Sequence, residues 1–178
     1  MPDPYETLDS VITHRGAIVD VKLDTITLPD GKRAKRETVL RGEAAAVLPV
    51  DSDGNAVLVK QYRHSVGKTV IEIPAGVVDS NDADPKHCAL RELREETGYS
   101  AGGINHITSM HTAIGFCNEV VHIYEAWDLT PGETDFDEGE FIEIVKIPVD
   151  DAVAMIFTGE ITDSKTIAAL LAYGRRDY

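Results

Sequence analysis

The sequence predicts a mixed α/β (α+β) sandwich, and three observations carry that reading. Short apolar runs punctuated by turn residues fill the chain ahead of Pro74. One strongly delimited helix follows at 84–98, and two further helical patterns close the chain after a second set of strand-like runs. Strands interleaved with helices in this way bury their apolar faces as helices packed on a mixed sheet. Residues 1–40 are expected to form a separate small antiparallel β region, and 41–178 the main domain.

In chain order, residues 10–23 read as a strand through Val11-Ile12 and Ala17-Ile18-Val19. Leu23–Leu28 continues extended to a turn at Pro29-Asp30-Gly31-Lys32, and a return strand runs from Arg36 to Leu40. Asp-Gly between extended segments is a hairpin signal. A second one, Asp51-Ser52-Asp53-Gly54-Asn55, joins the almost wholly apolar Ala44–Val50 to Ala56–Tyr62. Val70–Ile73 is a short strand leading into a loop, Pro74-Ala75-Gly76. Asp84 suits the N-cap of the next helix, Pro85 its first position and Gly98 its left-handed end. Cys88, Ala89, Leu93 and Thr97 then form a core-facing stripe, with Glu92, Glu95 and Glu96 pointing elsewhere. His106–His111, Val120–Leu129 and Phe141–Ile147 read as strands, and Asp150–Phe157 and Asp163–Tyr173 as helices.

Composition narrows the function classes. At 178 residues, 43% hydrophobic and 27% charged, the chain is long enough to bury one substantial core. No run approaches the ~20 apolar residues of a membrane span. Met1-Pro2-Asp3-Pro4-Tyr5 lacks the basic and apolar regions of a signal peptide, so the cytoplasm is the expected location. Cys88 and Cys117 offer no zinc spacing and no expected disulfide. A net charge of −14 repels nucleic-acid backbone and anionic lipid, so neither is an expected partner.

The chemistry concentrates in Arg91-Glu92-Leu93-Arg94-Glu95-Glu96-Thr97-Gly98. Glu92, Glu95 and Glu96 stand three and four residues apart, neighbours on a helix surface where like charges repel. A cation among them relieves that repulsion, and Pro74-Ala75-Gly76 supplies backbone that can approach the same cation. A hard divalent ion held by carboxylate and carbonyl oxygens is the usual companion of phosphate chemistry. Such an ion neutralises phosphate oxygens and lowers the pKa of bound water. Glu92 and Glu96, one turn apart, best share an ion, and Arg91 can fix Glu95 at i+4. A Glu/Arg-rich stretch alone reads as a solvated helix face; loop, cap and spacing together argue against that. The acidic stretch Glu133–Glu140 reads as a solvated loop, with an added metal ligand as the alternative. His64, His111 and His122 read as surface or core histidines, and Tyr62 and Trp127 as core aromatics that could otherwise stack on a base.

Residues 76–99 resemble the Nudix hydrolase signature, and similarity to its ADP-ribose pyrophosphatase branch extends over about residues 40–145. Gln61-Tyr62-Arg63, Glu72-Ile73-Pro74-Ala75-Gly76 and Ala113-Ile114-Gly115-Phe116-Cys117-Asn118-Glu119 carry it. The resemblance implies a Nudix-type α/β/α sandwich and hydrolysis of a nucleoside diphosphate sugar, ADP-ribose giving AMP and ribose 5-phosphate. It implies metal ligands at the Ala75 carbonyl, Glu92, Glu96 and Glu95. Catalytic roles fall on Glu95, Glu96 and Glu119, with either Glu95 or Glu119 as the base. Arg63, Glu72 and Gly76 are implied to bind substrate. Mg²⁺ is the implied cofactor, with Mn²⁺ as the alternative, and the implied assembly is a homodimer with the N-terminal β region as its dimerisation element. Two departures stand out. Asp82 replaces the signature's first Glu, one residue is inserted before Arg91, and either Asp82 or Asp79 is expected to support that arginine. Ile114 replaces a proline of the branch, which leaves a GDP- or UDP-sugar as an alternative substrate; a non-catalytic nucleotide-binding domain is a further alternative.

Overall fold

A computed structural model describes residues 5–136 and 139–174. The chain forms two compact units, Met1–Gly42 with His111–Val120, and Glu43–Met110 with Val121–Tyr178.

The first unit is built on a three-stranded antiparallel sheet ordered β1-β2-β3: β1 (Glu6–Arg15), β2 (Asp20–Thr27) and β3 (Arg33–Leu40). The expected single strand over 10–23 is therefore two strands. The chain turns at Gly16, whose N–H donates to the Val19 carbonyl at 3.0 Å, so Ala17 and Ile18 lie in the turn. Their apolar character imitated a strand; Ile18 is instead 76% exposed. Val39 bridges Cys117 in parallel, which ties the 111–120 segment to β3.

The second unit is an α/β/α sandwich. Its central sheet is ordered β7-β4-β9-β8: β4 (Ala44–Pro49), β7 (Ala75–Val77), β8 (Tyr99–His111) and β9 (Val120–Pro131). β4 runs parallel to β9 and antiparallel to β7, so the sheet is mixed. A second sheet pairs β10 (Ile142–Pro148) with β5 (Asn55–Arg63) and β5 with β6 (Lys68–Glu72). The near-continuous apolar sequence of β4 follows from burial on both faces. Ala46 and Leu48 enter a core with Ile123, Ile161 and Leu170; this core also takes in residues of α2 (Val149–Thr158) and α3 (Ser164–Ala172). Ala45 and Val47 face Cys88, Ala89 and Leu93 of α1 (Pro85–Thr97).

α1 begins and ends where its sequence signals place it. The Asp84 carboxylate accepts from the His87 N–H at 2.8 Å, and Pro85 opens the first turn. Gly98 ends it at φ 73°, its N–H donating to the Arg94 carbonyl. A Cβ there would stand 2.7 Å from the Gly132 carbonyl oxygen. Gly98→Ala is accordingly expected to destabilise the protein by at least about 1–2 kcal/mol, the left-handed cost alone, measurable as a lower urea midpoint. The core stripe is as expected, with Cys88, Ala89, Leu93 and Thr97 buried. Glu96 is buried with them, only 5% exposed. Pro74-Ala75-Gly76 is likewise more ordered than a loop: Ala75 and Gly76 open β7, paired with Ala46 and Ala45. Among the described residues, no helix is long and apolar enough to cross a membrane.

Candidate active site

The carboxylate face of α1 lies against the short strand β7, and the two line one cleft. Ala75, Gly76, Glu92, Glu95 and Glu96 all contribute to it, with Arg91, Asp135 and Glu140. Gly76 is what allows the close approach. A Cβ built on it would overlap the Glu92 carboxylate, standing 2.8 Å from Oε2 and closer still to Oε1. The Ala75 N–H donates to Glu96 Oε2 at 3.3 Å, a backbone donor to this buried carboxylate.

Arg91 holds the cleft together. Its Nη1 donates to Glu92 Oε1 at 2.7 Å and to Glu95 Oε2 at 2.9 Å. Its Nε and Nη2 grip Asp82 at 3.2 and 3.0 Å, and Nη2 also reaches the Val77 carbonyl. Asp82, not Asp79, is thus the residue that supports Arg91 despite the shorter side chain and the inserted residue. Asp79 instead shapes the turn, its N–H donating to Asp82. The Arg91 guanidinium, bonded to both oxygens, keeps the Asp82 carboxyl well below the usual carboxylate range, against the opposing effect of burial.

Glu96 behaves in the opposite way. Burial, reinforced by the Glu92 charge, pushes it up to about 8; the Ala75 N–H and Arg63 only partly offset this. Burial also raises Glu92, though Arg91 opposes the shift. The cleft is therefore short of positive charge. Its donors are carboxylates and backbone oxygen, without nitrogen or sulfur, which fits a hard divalent cation. Among the described residues, no three histidine, cysteine, aspartate or glutamate side chains converge on a single point; Glu92 and Glu95 are turned onto Arg91.

The raised Glu96 makes stability depend on pH. Its folded-state pKa lies above the ordinary value of 4.5, so the folded form holds an extra proton between about 4.5 and 8. Stability is then lost as pH rises through that window. Asp82, shifted the other way, contributes fully throughout it. In chelator, the urea midpoint is expected to fall between pH 5.5 and 8, and saturating Mg²⁺ should flatten the slope. A midpoint that rises with pH in chelator would refute the assignment.

Beside Glu96 lies a second charged group. Arg63 clasps Glu72 through Nε at 2.7 Å and Nη2 at 3.1 Å. Lys165, in the first turn of α3, donates to the same carboxylate and pairs with Asp163 at 3.0 Å. Burial raises Glu72, but the two cations outweigh it and leave the group below its ordinary value. Glu72 is only 4% exposed and held from both sides, so its carboxylate is committed to Arg63 and Lys165. The negative charges of Glu72, Glu96 and Asp163 in turn raise Arg63. Sequence reasoning missed Lys165. It lies 93 positions from Glu72, and its only local signal is the Asp163 N-cap beside it.

The remaining sequence-derived residues are placed as follows. Glu119 belongs to the first unit, where its carboxylate accepts from Arg41 Nε at 3.3 Å. In the acidic stretch Glu133–Glu140, Asp137 and Glu138 lie outside the described residues; Glu133–Phe136 are solvent-exposed, as read for a solvated loop, and exposed Asp135 and half-buried Glu140 also line the cleft. The Asp135 N–H donates to the Glu95 carbonyl at 2.9 Å, which joins this residue to the end of α1. Tyr62 is 58% exposed and not a core residue. Burial pushes the Cys88 thiol up to about 12, which leaves it unreactive.

Sandwich and acidic cleft together are those of a cation-assisted hydrolase. The chain belongs to the Nudix hydrolase family, the NUDIX domain matching residues 40–170. Members of this family generally use divalent metal ions. The chain is 39% identical to the ADP-ribose pyrophosphatase of Bacillus subtilis (strain 168) over 157 residues, covering 87% of this chain and 84% of that protein. It is 38% identical, with the same coverage of both chains, to the methanol dehydrogenase activator of Bacillus methanolicus. A solved structure described as an ADP compounds hydrolase superposes with a TM-score of 0.85 at 21% identity, covering 94% of this chain and 91% of that one, and shares the fold.

Proposed function

We propose that the protein hydrolyses the pyrophosphate bond of a nucleoside diphosphate sugar, with ADP-ribose giving AMP and ribose 5-phosphate. The observation that carries this reading is the cleft itself. It holds three carboxylates on one helix, two of them with raised proton affinity, in the electrostatic reach of the cation Arg63. The name of the B. subtilis relative supports the choice of ADP-ribose.

Glu92, Glu95, Glu96 and the Ala75 carbonyl would hold Mg²⁺, or Mn²⁺ in its place. The bound ions would neutralise phosphate oxygens and lower the pKa of water. Arg63, held through Nε and Nη2 by Glu72, meets a phosphate oxygen with its remaining N–H groups. Gly76 leaves room for Glu92 to stay beside the ligand. Water oxygen bonds to one phosphorus, the bridging P–O bond breaks toward the other phosphate, and Glu95 or Glu119 takes the proton. Of these two, Glu95 is already fixed by Arg91.

Residues 1–40 are the proposed dimerisation element of a cytoplasmic homodimer. Leu8 and Val11 of β1 are 43% and 50% exposed, apolar surface that a second copy would cover. Gel filtration of the intact chain and of a form lacking these residues tests this; a monomeric, fully active truncation would refute it. The catalytic reading is tested by a panel of nucleotide sugars and dinucleotides assayed for released phosphomonoester, with Mg²⁺ and with chelator. Mg²⁺-dependent cleavage of ADP-ribose is expected. Cleavage of a GDP-sugar alone would replace the substrate, and no cleavage of any member would overturn the enzymatic reading.

A further inference from the structure

Within the second unit, a polar network unrelated to the acidic cleft joins Glu43, His122, Ser109 and His106. Ser109 Oγ lies 2.8 Å from His106 Nε2 and also 2.8 Å from His122 Nδ1. His122 Nε2 lies 3.3 Å from Glu43 Oε2. Donor counting assigns the neutral network. An ionised Glu43 can only accept, so His122 carries its proton on Nε2 and offers a bare Nδ1 to the Ser109 hydroxyl. That hydroxyl has one proton to give and gives it to His122, so His106 supplies the hydrogen on its own Nε2.

We propose that His106 and His122 form a binding site for a borderline or soft divalent transition-metal ion such as Cu²⁺ or Zn²⁺, distinct from the oxygen-lined cleft. Both ring nitrogens converge on one small atom and so stand no farther apart than twice 2.8 Å. Two imidazoles on a common ion, each at about 2.0–2.1 Å, need their nitrogens within roughly 4.2 Å. The ring centroids are 6.4 Å apart, and His106 is exposed, so a small swing of its ring closes the gap. The His106 proton passes to Nδ1, which frees Nε2 as a ligand without net loss of a proton. The Ser109 hydroxyl turns aside or completes the shell with water. Glu43 stands where metal-binding histidines usually find a carboxylate, behind the ring, fixing tautomer and orientation. Imidazole nitrogen selects transition ions over Mg²⁺, so the two sites would sort ions by chemistry.

The test is electron paramagnetic resonance of the intact protein titrated with Cu²⁺ while Mg²⁺ is held saturating. One equivalent coupled to two imidazole nitrogens is expected. His106→Ala and His122→Ala should each remove the two-nitrogen signal, and Glu43→Gln should weaken binding by roughly 10–100-fold. Mg²⁺-dependent hydrolysis by the His106→Ala variant is expected to stay unchanged, which serves as the check on folding. Glu96→Gln should leave the Cu²⁺ signal intact. A two-nitrogen signal that survives both histidine variants, or one lost on Glu96→Gln, would overturn the proposal.

Discussion

Replacing Glu96 by glutamine is expected to lower Mg²⁺-dependent turnover by at least about 10²–10³-fold, the scale set by removing one preorganised electrostatic contact. Glutamine keeps the shape of the side chain, and its carbonyl can still accept from the Ala75 N–H, 3.3 Å away in the native protein. What is lost is a negative charge in a buried position, the property that draws a cation. The same substitution should stabilise the metal-free protein at pH 8, because the fold no longer has to bury an uncompensated carboxylate. It should also shrink the decline of the urea midpoint with pH in chelator, leaving only the smaller share that the raised Glu92 contributes. Lost activity together with a gained stability of shallower pH dependence separates a functional charge from a structural one. Near-normal turnover would remove Glu96 from the site.

The second large effect comes from a residue with no side chain. Gly76→Ala is expected to cut turnover by about 10²-fold, the cost of displacing a catalytic contact by roughly 1 Å. The new methyl group would occupy the place of the Glu92 carboxylate. That carboxylate terminates a flexible side chain, so it can swing away and the fold should tolerate the change within about 1 kcal/mol. Gly76 is not among the glycines that need positive φ, which removes backbone strain as an alternative cause. Kinetics paired with urea unfolding reads the outcome. A variant that is as active as the parent would show that Glu92 need not stand against β7.

Much of this was legible in the sequence because it is local. Asp84, Pro85 and Gly98 mark α1 by chemistry confined to a few neighbouring residues, and the helix starts and stops there. The carboxylate cluster is local in the same sense, since helical geometry alone fixes its spacing. The failures are non-local or concern sharp turns. The turn at Gly16 was hidden by apolar residues that sit in it rather than in a strand. The burial of Glu96 depends on how α1 seats against β7, which no spacing rule reports. Lys165 meets Glu72 only after the closing helix has docked, and the places of Asp135 and Glu140 at the cleft rest on tertiary packing that no local pattern reports. Asp82 is the intermediate case. Its role was one of two offered by the sequence, and the two-pronged grip on Arg91 selects it.

That grip bears on any cation drawn to the same carboxylates. Arg91 is a tethered cation already seated between Glu92 and Glu95, anchored at its far side by Asp82. Part of the negative charge on α1 is thereby met by the protein's own guanidinium. On the proposed reading, an ion drawn to these oxygens would have to compete with that guanidinium, so its net affinity would be the difference between two attractions rather than the whole of one.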